Sequence, residues 1–292
     1  MERRRARNMA RSRSLAPGPE GDKGRGSRYS AGTGMELIRS HLLADFPHGF
    51  TTRVGGASAS PFNSLNFGDL VGDDPSAVAG NWRQLEEATG LGFARVRQVH
   101  GAKVVTGAMP TTPREEADGV VTATAGVAAC VSVADCVPIL LARPDGSAVA
   151  AVHAGWRGTL ERIAAEGVRA LAAGGDGEAP LAVIGPSIGP CCYQVSDELA
   201  AQFASAFGPR VVQRGGRGPR LDLWAANERA LRDAGVVRVA LLRRCTACEP
   251  RLFFSHRRDG GRTGRMVGYI APISARGPSL TEAGSHLEFT GS

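Results

Sequence analysis

Residues 127–171 constrain this chain more than any other stretch. Three apolar, β-branched runs, at 127–133, 137–142 and 148–152, follow one another with only short polar or Gly/Pro breaks between them. Runs of that length and composition, bounded by turn formers, are strands. After His153 the pattern changes: Leu160, Ile163, Ala164, Gly167, Val168 and Leu171 recur at helical spacing, so a helix begins close behind Trp156 and Arg157. A thiol, Cys136, falls between two strands, and an imidazole, His153, falls where a third strand hands over to the helix. The free N–H groups of a helix start favour an anion, and Arg157 adds a planar donor fork suited to phosphate or carboxylate. The segment reads as half of an active site, with Arg157, His153 and Cys136 as its catalytic candidates.

The formal charge of +7 invites a nucleic-acid reading until it is located. Residues 1–34 hold nine Lys or Arg and three Asp or Glu, which leaves 26 basic and 25 acidic residues over 35–292. The excess therefore belongs to a Gly-, Ser- and Arg-rich segment with almost nothing to bury. It is expected to be a disordered, solvated tail rather than an RNA-binding arm. Met35 directly precedes the first patterned segment, MELIRSHL, and is an alternative start. No apolar run approaches the ~20 residues of a membrane span. The N-terminus has no secretory core, and six cysteines in a long chain of this kind read as reduced thiols rather than a disulfide framework. The expectation is a soluble, cytoplasmic protein without membrane partners.

The remaining punctuation gives a coarse map. TTRVGG ends an extended segment, and a polar loop over 57–75 precedes a helix capped by Ser76 and closed by Gly90. Strands are expected at 93–99, ending on His100, then at 103–106 and behind Asp118. Beyond the central helix, 181–184 is a strand running into the bent GPSIGPCCYQV. Ser196 caps the next helix, LDLWAANERALRDAG is another, and 236–242 is a strand. CTACEPRLFFSHRRDGGRTGRMVGYIAPI reads as two strands joined by a Gly- and Arg-rich turn. No composition break divides the middle of the chain. The expected class is α/β (α+β), a single domain of mixed β-sheets flanked by helices over 35–274, with a basic tail over 1–34 and a polar tail over 275–292.

QVHG at 98–101, ADC at 134–136, AVHAGWRG at 151–158 and the GPCCY bend stand in one order along the chain, together with TTRVGG, LDLWAAN and FFSHRRDG…GRMVG. In this combination the chain resembles the laccase-domain family, once described as multicopper polyphenol oxidases and now as purine nucleoside phosphorylases with adenosine deaminase activity. The resemblance spans roughly residues 50–273. It implies a metal, zinc with copper as the other candidate, held by His100, Cys136 and His153. Two imidazoles and a thiolate suit zinc, and three protein ligands leave a fourth position open, as in catalytic sites. It also implies a purine nucleoside (adenosine, inosine or S-methyl-5′-thioadenosine) and phosphate as substrates. Arg157 would hold the phosphate, and the metal would polarise the base or activate water for deamination. The chain has six histidines and no H-x-H pair, too few imidazoles for a multicopper oxidase.

Arg53, Asn66, Asp118, Asp135 and Arg258 stand in the same motifs as candidates for orienting substrate or ligands. The resemblance also implies a departure: many members of that family carry a histidine just before VGD, where this chain has Leu70. Cys245-x-x-Cys248 is read as structural thiols, and Cys191 and Cys192 as lining or supporting the pocket, with no metal assigned to either pair. Two further classes stay open: a cysteine hydrolase with Cys136 as nucleophile and His153 as base, and a non-catalytic metal-binding protein.

Overall fold

The structure, a computed structural model, describes residues 27–30 (backbone only), 34–110, 114–173, 178–216 and 218–273. One six-stranded sheet runs in the order β1 (Ser27–Ser30), β2 (Glu36–Arg39), β3 (His48–Thr51), β14 (Met266–Ile270), β7 (Val127–Val133) and β4 (Gly92–Ala94). The second runs β13 (Arg238–Leu241), β10 (Leu181–Ile184), β8 (Val137–Ala142), β9 (Val149–Ala154), β6 (Gly119–Thr122) and β5 (Val104–Thr106). A two-stranded ribbon joins β11 (Val212–Gln213) to β12 (Arg220–Leu221). Both large sheets are mixed: β4–β7, β5–β6 and β10–β13 pair in parallel, and the other ladders are antiparallel.

Side-chain alternation sorts these strands into layers. On β7, Val127, Ala129, Val131 and Val133 point between the two sheets, and Ala128 and Cys130 point away toward α1 (Pro75–Thr89). On β8, Leu140 and Ala142 face the first sheet, while Val137, Ile139 and Leu141 face α3 (Ile163–Ala172) and α5 (Leu223–Asp233). Trp82 and Leu85 of α1 pack on Phe67, Phe93 and Tyr269; Phe203 and Phe207 of α4 (Asp197–Phe207) complete the opposite layer. The result is one domain in four layers, helix, sheet, sheet, helices. Its central strands are apolar throughout because both of their faces are buried.

Several expectations over this core hold, and four are corrected. The α1 cap is Asp74, which accepts the Ser76 N–H with Pro75 in the first helical position; Ser76 already lies inside the helix. The single helix expected behind His153 is two, α2 (Trp156–Leu160) and α3, because Arg162 stands between them at φ 60°. The strand expected over 93–99 stops at Ala94. Of the two strands expected over 245–273 only β14 forms. Residues 245–265 are turns tied by side chains: Asp135 accepts from Thr246, Ser255 and the Arg257 N–H, and Arg258 donates to the Thr246 and Phe253 carbonyls. The tails expected at 1–34 and 275–292 lie outside the described residues, apart from Gly34 and Ser27–Ser30, which pair as an edge strand with β2. Among the described residues no helix is long and apolar enough to cross a membrane.

Candidate metal centre and its cleft

The β8–β9 register pairs Val137 with Ala154 and Pro138 with His153. Cys136 lies two residues before Pro138, so its side chain shares a face with His153 at one end of the hairpin. That face is the one between the sheets, and the two groups therefore sit at the mouth of the inter-sheet core. His100 arrives from the loop after β4 at φ 63°, and Asp135, just before Cys136, is at φ 89°. Non-glycine residues in this region are uncommon and cluster at functional sites. The ligand atoms of His100, Cys136 and His153 all lie within 4.8 Å of one another, with the imidazole rings edge to face at 4.9 Å.

Asp118 holds both histidines. Its Oδ1 accepts from His153 Nδ1 (2.8 Å) and the His100 N–H (3.0 Å), and its Oδ2 accepts from the N–H groups of Val99 (3.1 Å) and Gly101 (2.8 Å). With Nδ1 committed, the Nε2 of His153 is the nitrogen left for a metal. Gln98 fastens the same loop to β7, its amide donating to the Ser132 carbonyl and accepting the Ser132 N–H. Gly155 completes the cradle. A Cβ there would lie 3.1 Å from His100 Cδ2 and 3.3 Å from Cys136 Sγ.

Burial opposes charge on Cys136, but the positive charge of His153 and hydrogen bonds from both histidines overcome it and bring the thiol down to about 6. Burial likewise opposes charge on His153, and the Cys136 charge and the Asp118 hydrogen bond raise it to about 9. Burial also works against ionisation of Asp118, yet the His153 hydrogen bond and charge and the Gly101 and Val99 N–H groups hold it below the usual carboxylate value. The donor set is thus two imidazoles and a ready thiolate, oriented from behind by a carboxylate. That chemistry fits a borderline-soft divalent cation with a coordination position to spare.

The triad opens into a cleft of about 980 Å³ whose lining includes Trp156, Ile188 and Tyr193. Five arginines, Arg97, Arg114, Arg157, Arg257 and Arg265, share that lining. Arg97 pairs with Glu116 and Arg114 with Asp69. The other three guanidinium groups pair with no carboxylate among the described residues. Arg157 stacks on the Trp156 ring at 4.8 Å, Arg257 stacks on Tyr193 at 5.0 Å while donating to the Gln194 carbonyl, and Arg265 donates to the Thr263 and Gly264 carbonyls. Burial and the Cys136 charge push the Tyr193 phenol up to about 12, so it keeps its proton. Arg157 stands at the head of a helix only five residues long, so what it offers the cleft is its planar donor fork rather than a helix start.

A match to the family described as multi-copper polyphenol oxidoreductase laccase covers residues 47–272. The chain belongs to this laccase family. Its relatives in the laccase family include a purine nucleoside phosphorylase of Deinococcus radiodurans, 43% identical over 81% of this chain and 93% of that protein. The human purine nucleoside phosphorylase LACC1 is 35% identical over 81% of this chain and 58% of its own length. Among solved structures, YlmD from Geobacillus stearothermophilus superposes with a TM-score of 0.77 at 35% identity, covering 85% of this chain and 99% of that one.

Within this laccase-family frame the motif candidates separate. His100, Cys136, His153 and Arg157 converge on the cleft, with Asp118 behind them. Asp135 is spent on three donors that bind residues 246–257 to the site. Arg53 binds Asn63 and the Pro250 carbonyl, Asn66 bridges Gly68, Asp73 and the Arg265 N–H, and Arg258 holds its own loop. These three are loop fasteners. Leu70 is 89% exposed on the cleft rim. Sequence reasoning missed Tyr193, Arg257 and Arg265. The density of arginines between 251 and 265 was the available signal, but it does not say which of them turn inward.

Proposed function

We propose that this chain is a metal-dependent purine nucleoside phosphorylase, converting a purine nucleoside and phosphate to base and ribose 1-phosphate. The observation that carries the reading is the convergence of three carboxylate-free arginines and a His–Cys–His donor set in one cleft, in a family whose relatives bear that name. Phosphorolysis needs phosphate beside the anomeric carbon, support for a cationic sugar, and a way to carry charge on the departing base.

Arg157, Arg257 and Arg265 supply planar donor forks for the phosphate. Trp156 and Tyr193 supply flat walls for base and ribose, and Tyr193, kept protonated, supplies a donor. Asp118 fixes the His153 ring so that its outer nitrogen is presented at one angle. His100, Cys136 and His153 would hold the metal, zinc in the first instance with copper the alternative, and its Lewis acidity would serve the base or a water. The same Lewis acidity would serve deamination of adenosine as a second activity, while adenosine, inosine and S-methyl-5′-thioadenosine form the nucleoside set for phosphorolysis. The cytoplasm is the matching compartment, since reduced thiols are required.

The test is a product assay on metal-analysed protein with adenosine, with and without phosphate, resolving adenine, ribose 1-phosphate and inosine. Phosphate-dependent adenine is expected in wild type and absent in His153→Ala, while Arg157→Ala raises the phosphate concentration for half-maximal rate at least tenfold. No purine turnover with metal present would reject the assignment. A second reading has its own support: a lowered Cys136 thiol against a raised, Asp118-oriented His153 is also a nucleophile–base arrangement. A thiol-trapped acyl intermediate on Cys136 would establish it.

A further inference from the structure

Behind the cleft wall, outside its lining, the fold assembles a second group of metal-type ligands that the proposed activity does not use. β10 and β13 are parallel neighbours, Ile184 opposite Leu241, and their pairing continues beyond the strand ends through a Ser187–Cys245 bridge. The GPCCY bend leaves β10 and the C-x-x-C turn leaves β13 from the same sheet end. Cys191 and Cys192 thereby meet Cys245 and Cys248, which are over fifty residues distant in sequence. The four sulfurs lie within 4.8 Å of one another, with Cys191–Cys248 at 3.5 Å and Cys192–Cys248 at 3.3 Å.

These separations distinguish the chemistry. A disulfide needs about 2.05 Å. Four thiolates around one zinc ion at about 2.3 Å stand about 3.8 Å apart, close to what the fold provides. The surroundings are arranged for sulfur as well: the Gly189 N–H donates to Cys245 Sγ at 3.3 Å, and Gly189 has no room for a Cβ, which would meet Trp224 Cη2 at 2.6 Å. The C-x-x-C turn closes with the Cys248 N–H on the Cys245 carbonyl. Cys245 is buried, Cys192 half-buried, and Cys191 and Cys248 exposed, so a cation can reach the group from solvent.

We infer that Cys191, Cys192, Cys245 and Cys248 form a second metal site, a closed tetrathiolate for a thiophilic divalent cation of the zinc class. With four protein ligands it leaves no position for substrate, so its role is structural. It pins the bend that carries Ile188 and Tyr193 into the wall of the cleft. Each thiol releases its proton to solvent as the ion binds.

The test uses the full chain prepared anaerobically with excess zinc. Metal analysis should give two ions per chain in wild type and one in either His100→Ala/His153→Ala or Cys191→Ser/Cys248→Ser. X-ray absorption on the histidine variant should show an all-sulfur shell at about 2.3 Å. Peptide-level alkylation of wild type guards against a cysteine variant that does not fold. Cys191, Cys192, Cys245 and Cys248 should resist modification with zinc and label together after chelation. The inference is overturned if the histidine variant holds no zinc. It is equally overturned if the four thiols label regardless of zinc, or if the purified chain carries a disulfide among them. None of these readouts depends on turnover, so its failure leaves the phosphorylase reading where it stood.

Discussion

Asp118→Asn is the substitution whose cost the geometry defines most sharply. It preserves shape and removes only charge and one acceptor. Four donors converge on the carboxylate, two on each oxygen, and Asp118 is fully buried. An amide in either orientation keeps one oxygen for two donors and turns its NH₂ toward the other two. Hydrogen bonds to a charged group are worth about 1.5–3 kcal/mol each, and removing one partner of a buried ionic pair costs about 3–5 kcal/mol. We expect a loss of about 3–5 kcal/mol in metal-free protein. At about 2–4 °C per kcal/mol for a chain of this size, Tm falls by roughly 6–20 °C. Because the same carboxylate orients His153, metal affinity should fall about 10- to 100-fold. Scanning calorimetry and competition with a chromophoric chelator read the two effects separately. Glu116→Gln, which breaks an exposed pair with Arg97, is the control and should change stability by less than about 1 kcal/mol. An Asp118→Asn protein as stable as that control, with metal affinity unchanged, would refute the reasoning.

Gly155→Ala should weaken metal binding while the fold persists, since the added methyl presses on His100 and Cys136 where Gly155 already has an ordinary φ of −71°; unchanged affinity in the same competition assay would count against the cradle. His48 should make the protein acid-sensitive. It is buried, accepts the Ser40 N–H on Nε2 and reaches the Phe46 carbonyl through Nδ1, and burial is the largest cause holding its pKa below 6.5. The unfolded chain therefore takes up the proton first, so this stability is complete above about pH 6.5 and declines as pH falls below it. Urea unfolding at several pH values should show a shallower acid decline in His48→Gln than in wild type, and identical declines would remove His48 from the account. Leu85→Ala, at a fully buried position between α1 and the first sheet, should cost about 2–5 kcal/mol in the same unfolding assay; a change under about 1 kcal/mol would mean that the outer layer does not share the cooperative core.

The central strands were legible because β7, β8 and β9 are covered on both faces, and continuous apolar runs report that directly. Cys136 and His153 were legible for the same reason, since both stand where such a run ends. Residues 245–265 misled because Phe, Met and Val set in an Arg- and Gly-rich text suggest strands, whereas the segment is shaped by long-range bonds to Asp135 and by Asp259. The Arg162 break in the central helix left no mark that a period of 3.6 could detect. The four cysteines were read as two unrelated pairs, and only the parallel pairing of β10 with β13 brings them together. The inward turn of Arg257 and Arg265 is likewise a property of loop closure, which local propensity does not encode.

Two of the three proposed ligands stand at one end of a single hairpin, Cys136 just before β8 and His153 on β9, and the third is delivered by a separate loop. The spacing between Cys136 and His153 is thus fixed by the adjoining rungs of a sheet and does not depend on an ion. For a bound ion, residence time would then depend on a single arm, the His100 loop, whose backbone Asp118 grips and which Gln98 fastens to Ser132. A half-built socket would wait between occupants, so that exchange of one cation for another would require no strand to move.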